Sequence, residues 1–221
     1  MNKFKYHILG ALVFLGTSIL GIVAYGFDWS GITTVKTGDT LSASIWNDTI
    51  NNIKNNLEEL SSRPGTIANV VTVQTRDNTI FTAPITGNGT EVTPLRLSIT
   101  PKKAGNKVIL EWIVNGEMNN NTVYIVTRNG VLLTDTTDAS NNRWAGVTAQ
   151  TYDTDTNSTP DNTIVKIIDN NSLNTASTYE IRVRASSASA YSLYLNRTVG
   201  SAGTDRYETS LSTGIATEIW Q

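Results

Sequence analysis

Apolar positions fall into three regimes along the chain. From Ile8 to Val23 they run almost unbroken, behind a short basic region of Lys3 and Lys5. Ala24-Tyr25-Gly26 then places small residues at the two positions a signal peptidase reads. This layout predicts a secretory signal peptide cut after Gly26. The same run lies near the lower limit of ~18 residues for a spanning helix, with its positive charges on the cytoplasmic side. A retained membrane anchor is therefore the alternative. Both readings begin with export and place the chain outside the cell or on its surface.

In the second regime the apolar residues repeat with helical spacing. Trp46, Ile50, Ile53, Leu57 and Leu60 form an alternating four-three seam, while the opposite face is Asn, Asp, Lys and Glu. That is the spacing of a coiled coil. It predicts a helix over 41–60, capped by Asp39 or Thr40. An isolated helix this short is marginal in water, so its stripe needs a partner. The seam is read as a short oligomeric stalk, against the alternative of an amphipathic helix packed on its own domain. Ser61-Ser62-Arg63-Pro64-Gly65 is the joint that follows, because Pro and Gly end a helix and permit a turn.

Beyond residue 65 the period changes to two. Leu95, Leu97 and Ile99 alternate with polar residues, as do Tyr179, Ile181, Val183 and Ala185. Leu211, Thr213, Ile215, Thr217 and Ile219 fall on one face near the C-terminus. Such alternation marks strands with one buried face. Tyr124 to Arg128, Asn129-Gly130 and Val131 to Thr134 read as a hairpin, since Asn-Gly suits a type I′ turn. Val108 to Val114 is apolar on both faces except at Glu111, which predicts cover by a second sheet and a neighbouring subunit. Ile164 to Ile168 is similar but carries Lys166. Nine to eleven strands punctuated in this way predict a sandwich or jelly roll. The expected fold is all-β: a jelly-roll sandwich preceded by an export or anchor helix and a short coiled-coil helix. The expected parts are 1–26 signal peptide or anchor, 27–65 lead-in and stalk, and 66–221 β-domain.

Composition narrows the chemistry. There are no cysteines, and the one histidine, His7, lies in the export segment. A mature chain starting near Phe27 would lack both residues. That removes Ser-His-Asp and Cys-His catalysis, most zinc sites and redox thiols. Carboxylate-only chemistry, as in glycosidases, stays open. The net charge of -2 becomes about -4 without Lys3 and Lys5, a mild value favouring solubility. No Lys/Arg cluster marks a nucleic-acid face. Asn and Thr make up roughly a quarter of the chain, a bias that suits turns and strand surfaces.

Several segments resemble the C-terminal domains of phage tail fibres and related bacterial surface proteins. Residues 97–110 (LSITPKKAGNKVIL) are similar to their strand and TPKxxGxK turn leading into a long apolar strand. The Arg128-Asn129-Gly130 hairpin, 177–183 (STYEIRV), 194–197 (YLNR) and 214–219 (GIATEI) follow in the same order. Upstream, 38–48 (GDTLSASIWND) resembles a stalk start in such proteins. The resemblance implies a C1q/TNF-like jelly roll that assembles as a homotrimer for attachment or recognition. Ligand contacts in that family sit in variable loops, so the resemblance assigns no binding residue. An export segment is foreign to phage fibres, which are assembled inside the host, and favours a bacterial surface or secreted protein.

Candidate sites come from local chemistry. Asp153, Asp155 and Asn157 have the alternate spacing that lets loop oxygens converge on Ca²⁺. The EF-hand pattern fails further on, where Ser158 replaces Gly and Ile164 replaces the bidentate Glu. Trp144 beside Asn142 and Arg143 offers an aromatic platform with polar neighbours, an arrangement suited to a sugar. Each has a structural alternative: an exposed polar loop for the first, and the start of a core strand for Trp144. Among the carboxylates, Glu91, Glu111, Glu117, Glu180, Glu208 and Glu218 show no spacing that selects a catalytic pair. Glu111 and Glu218 lie in strongly β segments, where pairing at a subunit contact would accommodate them.

The function expected is an exported, surface-displayed homotrimeric binding or attachment protein without enzymatic activity or cofactor. Its partners would be its own copies and a cell-surface glycan or protein, with membrane contact only through an uncleaved N-terminal segment. A structural subunit of a surface layer or filament, or a tail-fibre-like protein, is the alternative. A carboxylate-dependent polysaccharide-degrading enzyme is a third class.

Overall fold

The computed structural model describes residues 42–133, 145–152, 159–171, 173–200 and 208–221. Among the described residues the chain is mostly β: two antiparallel sheets form a sandwich, and one α-helix precedes it. Helix and sandwich are separate units that divide after Ser62. Helix α1 spans Ala43–Ser61. Its N-cap is Ser42, whose side chain accepts from the Ile45 N–H, so neither Asp39 nor Thr40 is the cap. The helix ends where the Ser62 N–H bonds back to the Glu58 and Glu59 carbonyls.

The strands are β1 (Ile67–Thr75), β2 (Ile80–Ala83), β3 (Thr90–Glu91), β4 (Leu97–Ile99), β5 (Lys107–Glu117), β6 (Thr122–Arg128), β7 (Val131–Leu132), β8 (Thr148–Gln150), β9 (Asp161–Asn170), β10 (Ser177–Ala185), β11 (Tyr191–Leu195) and β12 (Ser212–Ile219). Twelve strands among the described residues exceed the nine to eleven expected; the two-residue β3 and β7 are too short to leave a period. The first sheet runs β1-β12-β5-β11-β2, with β9 on the other edge of β5. The second runs β3-β10-β6-β7, with β4 also on β10 and β8 on β6. The predicted hairpin forms between β6 and β7. Asn129 and Gly130 both have positive φ, 51° and 79°, as its two-residue turn requires.

The core lies between the sheets. Val108, Leu110, Trp112 and Val114 of β5 meet Tyr124 and Val126 of β6 and Tyr179, Ile181 and Val183 of β10. Trp112 is fully buried, and its indole Nε1–H donates to the Leu95 carbonyl at 2.8 Å, which satisfies its single polar group. A polar cluster around Asp169 joins the two sheets. Asp169 of β9 accepts from Arg128 of β6 at 2.8 Å and from the Tyr179 hydroxyl of β10 at 2.7 Å. Burial, reinforced by the bond to Asp169, pushes the Tyr179 hydroxyl above its ordinary range, so it stays a donor.

One strand is inverted relative to its reading. Alternation alone made Thr213, Ile215, Thr217 and Ile219 the buried face of β12. Ser212, Gly214, Ala216 and Glu218 are buried instead, and the isoleucine face points away from the core, half-buried. The reason is Trp112. A Cβ on Gly214 would lie 2.6 Å from Trp112 Cδ1 and 3.0 Å from Val73 Cγ1. At Gly214 no side chain fits beneath the indole, so its face turns inward and Ile215 turns outward.

Candidate functional site

The outward-turned isoleucines are part of a larger surface. Register across the first sheet places three cross-strand ranks on its outer face. The first is Val70–Thr217–Ile109–Ile168, the second Thr72–Ile215–Glu111–Lys166, and the third Gln74–Thr213–Ile113–Ile164. The middle strand β5 is apolar on both faces, as its sequence predicts. Its inner residues are buried, while Ile109, Glu111 and Ile113 are half-buried. On β9 the outward residues are open to solvent: Ile164 is 56% and Ile168 55% exposed. Two β-branched residues with more than half their surface in water, one rank apart from a charged pair, mark a face that self-contained packing leaves unfinished.

A single ion pair interrupts the isoleucines. Lys166 Nζ lies 2.9 Å from Glu111 Oε2, directly across the β5–β9 ladder. Ile109 and Ile113 flank Glu111 along β5, Ile164 and Ile168 flank Lys166 along β9, and Ile215 sits beside Glu111 on β12. Of the two carboxylates expected to pair at a subunit contact, Glu111 is at the surface and already paired within the chain. Glu218 is fully buried inside the sandwich unit, where its Oε1 accepts from the Lys102 N–H at 2.7 Å and from Asn106 Nδ2 at 2.6 Å. It joins β12 to the 100–106 turn, an internal role that its strand position did not reveal.

Four strands at about 4.8 Å spacing and seven residues at about 3.3 Å rise make this face roughly 400 Å². Six of its twelve positions are polar, so its apolar part is roughly half that area, below the ~300–600 Å² of an ordinary monomer's largest patch. The whole face is about half of the roughly 800 Å² that each partner gives to a standard interface.

Helix α1 holds the second apolar surface. Trp46, Ile50, Leu57 and Leu60 are exposed, and Ile53 is half-buried. All five share one helical stripe, as their spacing predicts. The helix buries none of its residues.

Other predicted sites are only partly placed. Asp153, Asp155 and Asn157, and likewise Asn142, Arg143 and Trp144, lie outside the described residues, as does the segment read as signal or anchor. Among the described residues, no cluster of three or more His, Asp or Glu could hold a metal ion, and no helix is long and apolar enough to cross a membrane. Three further candidate carboxylates are bonded to basic, hydroxyl or backbone groups. Glu91 binds Arg96 at 2.6 Å, and Glu180 binds Arg182 at 2.8 Å and the Thr127 hydroxyl at 2.7 Å. Glu117 accepts from the Val199 N–H.

Comparison with known proteins adds little. No family model matches the chain, and no curated protein matches it. Among solved structures it is similar to dimeric latent PorU from Porphyromonas gingivalis, with 6% identity and a TM-score of 0.28. The match covers 72% of this chain but spans only 14% of that one. A likeness at that level assigns neither family nor task.

Proposed function

We propose that this protein is an exported, surface-displayed homotrimer that binds or attaches rather than catalyses. Its β-sandwich is read as a C1q/TNF-like jelly roll, and α1 as the short coiled coil that registers three chains. The observation that carries this reading is the outer face of the first sheet. Ile109, Ile113, Ile164, Ile168 and Ile215 surround the Lys166–Glu111 pair on a strand order of β1-β12-β5-β9. The stripe from Trp46 to Leu60 supports it independently, because a lone helix of this length is marginal in water. In this reading, an assembly that covers one sheet leaves loops at the sandwich ends free for a glycan or protein partner.

Sedimentation of the exported chain at micromolar concentration tests the assembly. The expected result is one species with three times the chain mass. A monomer across that range overturns the reading, and an open-ended series of larger masses favours a layer or filament subunit. Binding to arrays of glycans and to whole cells, without product release from polysaccharides, is the expected functional outcome.

A further inference from the structure

Asn-Gly occurs three times in the chain, at Asn88-Gly89, Asn115-Gly116 and Asn129-Gly130. The dipeptide is open to a reaction that needs no enzyme. The glycine main-chain nitrogen attacks the asparagine side-chain carbonyl carbon, unhindered because glycine has no Cβ. The N–Cγ bond forms, the Cγ–Nδ2 bond breaks, and the side-chain nitrogen leaves as ammonia with the proton of the glycine amide. One water then opens the cyclic imide to aspartate or isoaspartate. The ring closes only where the carboxamide and the next amide are free to meet, so the fold ranks the three positions.

We propose that Asn88 is a site of spontaneous deamidation, and that the fold protects Asn115 and Asn129 from the same reaction. Asn115 lies in β5, opposite Asn162 of β9. Its Nδ2 donates to the Leu211 carbonyl at 2.8 Å, and its Oδ1 accepts from Asn162 Nδ2 at 3.1 Å. Asn129 is tied twice to β10: its N–H donates to the Thr178 carbonyl and its Oδ1 accepts from the Thr178 N–H, both at 2.8 Å. Asn88 is exposed, in the turn before β3, between Gly87 and Gly89. Arg182 donates from Nε to the Asn88 carbonyl and from Nη2 to the Gly89 carbonyl, both at 2.9 Å. Those bonds hold the main chain through its oxygens. Among the described residues, none hydrogen-bonds to the Asn88 carboxamide. A Cβ built on Gly87 would meet nothing within 4 Å, so that side of the turn is open. In the isoaspartyl product the Asn88 main-chain carbonyl becomes a carboxylate. Arg182 already donates to that oxygen, so the new charge has a cation in place. The inference is independent of how copies of the chain associate.

The test follows the full chain through incubation in mildly alkaline buffer, folded and in denaturing urea. Peptide mapping by mass spectrometry reads conversion at each of the three positions. In the folded chain Asn88 should convert at least about tenfold faster than Asn115 or Asn129, the scale set by the hydrogen bonds those two must first break. In urea the ranking should vanish. Conversion of Asn115 or Asn129 as fast as Asn88 in the folded chain overturns the proposal, and so does an Asn88 that stays intact there while it converts in urea. A ranking that persists in urea belongs to the local sequence and overturns the part assigned to the fold. Asn88→Ser removes the reacting amide, and the acidic form that ion exchange resolves from the aged chain should disappear with it; its persistence places the modification elsewhere and overturns the assignment. Gly89 is no substitute as the altered residue, because a Cβ there would lie 2.5 Å from the Val183 carbonyl oxygen and disturb the turn itself.

Discussion

At the scale of single residues, two positions decide how β12 is held. Gly214 is needed for space rather than for backbone freedom. The Trp112 indole over it is pinned by its bond to the Leu95 carbonyl and cannot retreat. Gly214→Ala should cost about 1–3 kcal/mol, the range for overpacking a filled core, read as a lower urea midpoint with an unchanged slope. Glu218 acts through one oxygen that takes two hydrogen bonds. Glu218→Ala leaves a buried Asn106 donor and the Lys102 N–H without their acceptor, a loss of about 1–3 kcal/mol. Glu218→Gln keeps an acceptor in place and should lose clearly less in the same urea titration. Equal losses would mean that charge, not the acceptor atom, is what the site requires.

Among elements, α1 and β12 show the same physics with opposite outcomes. Each presents a regular apolar stripe. On β12 the stripe is outer because no side chain fits beneath Trp112 at Gly214. On α1 no residue is buried, and four of the five stripe residues are exposed. Ile53 lies at the middle of that seam, where a charge would sit deepest in a helix–helix contact. Ile53→Asp should move association to at least tenfold higher concentration by sedimentation, on the basis of a charge placed in a desolvated seam. The sandwich should keep its thermal transition at high concentration, because α1 belongs to a separate unit. Loss of the sandwich transition in that variant would show that the helix serves the chain's own fold instead.

For the whole molecule, neither apolar surface is large enough by itself. The sheet face of roughly 400 Å² falls short of a standard interface. A helix of 19 residues offers fewer than three heptads. In the proposed trimer, two sub-threshold contacts on one chain would reinforce each other, because the first association makes the second effectively intramolecular. Assembly is therefore expected to be cooperative, with weakening of either surface felt across the whole trimer.

Much of this was legible in the sequence, and the physical reason is periodicity. Spacing of Trp46 to Leu60 determined a helix with one apolar stripe, Asn129-Gly130 determined a hairpin turn, and period two determined a β-rich domain with alternating faces. Those are local properties, set by backbone geometry within a few residues. What alternation could not say is which of two faces turns inward. For β12 that depended on Trp112, a hundred residues away, and the clue was the small pair Gly214 and Ala216 rather than the isoleucines. Pairing partners were equally beyond local reach. Glu111 and Lys166 are ordinary charged residues in two apolar strands until the β5–β9 register sets them opposite each other. Glu218 reads as a carboxylate paired at a subunit contact, and only the fold sets it inside the sandwich against the 100–106 turn. The sequence determined the elements and their stripes; the tertiary structure alone decided which stripe became core and which became surface, because that choice is made by volume and register between residues far apart in the chain.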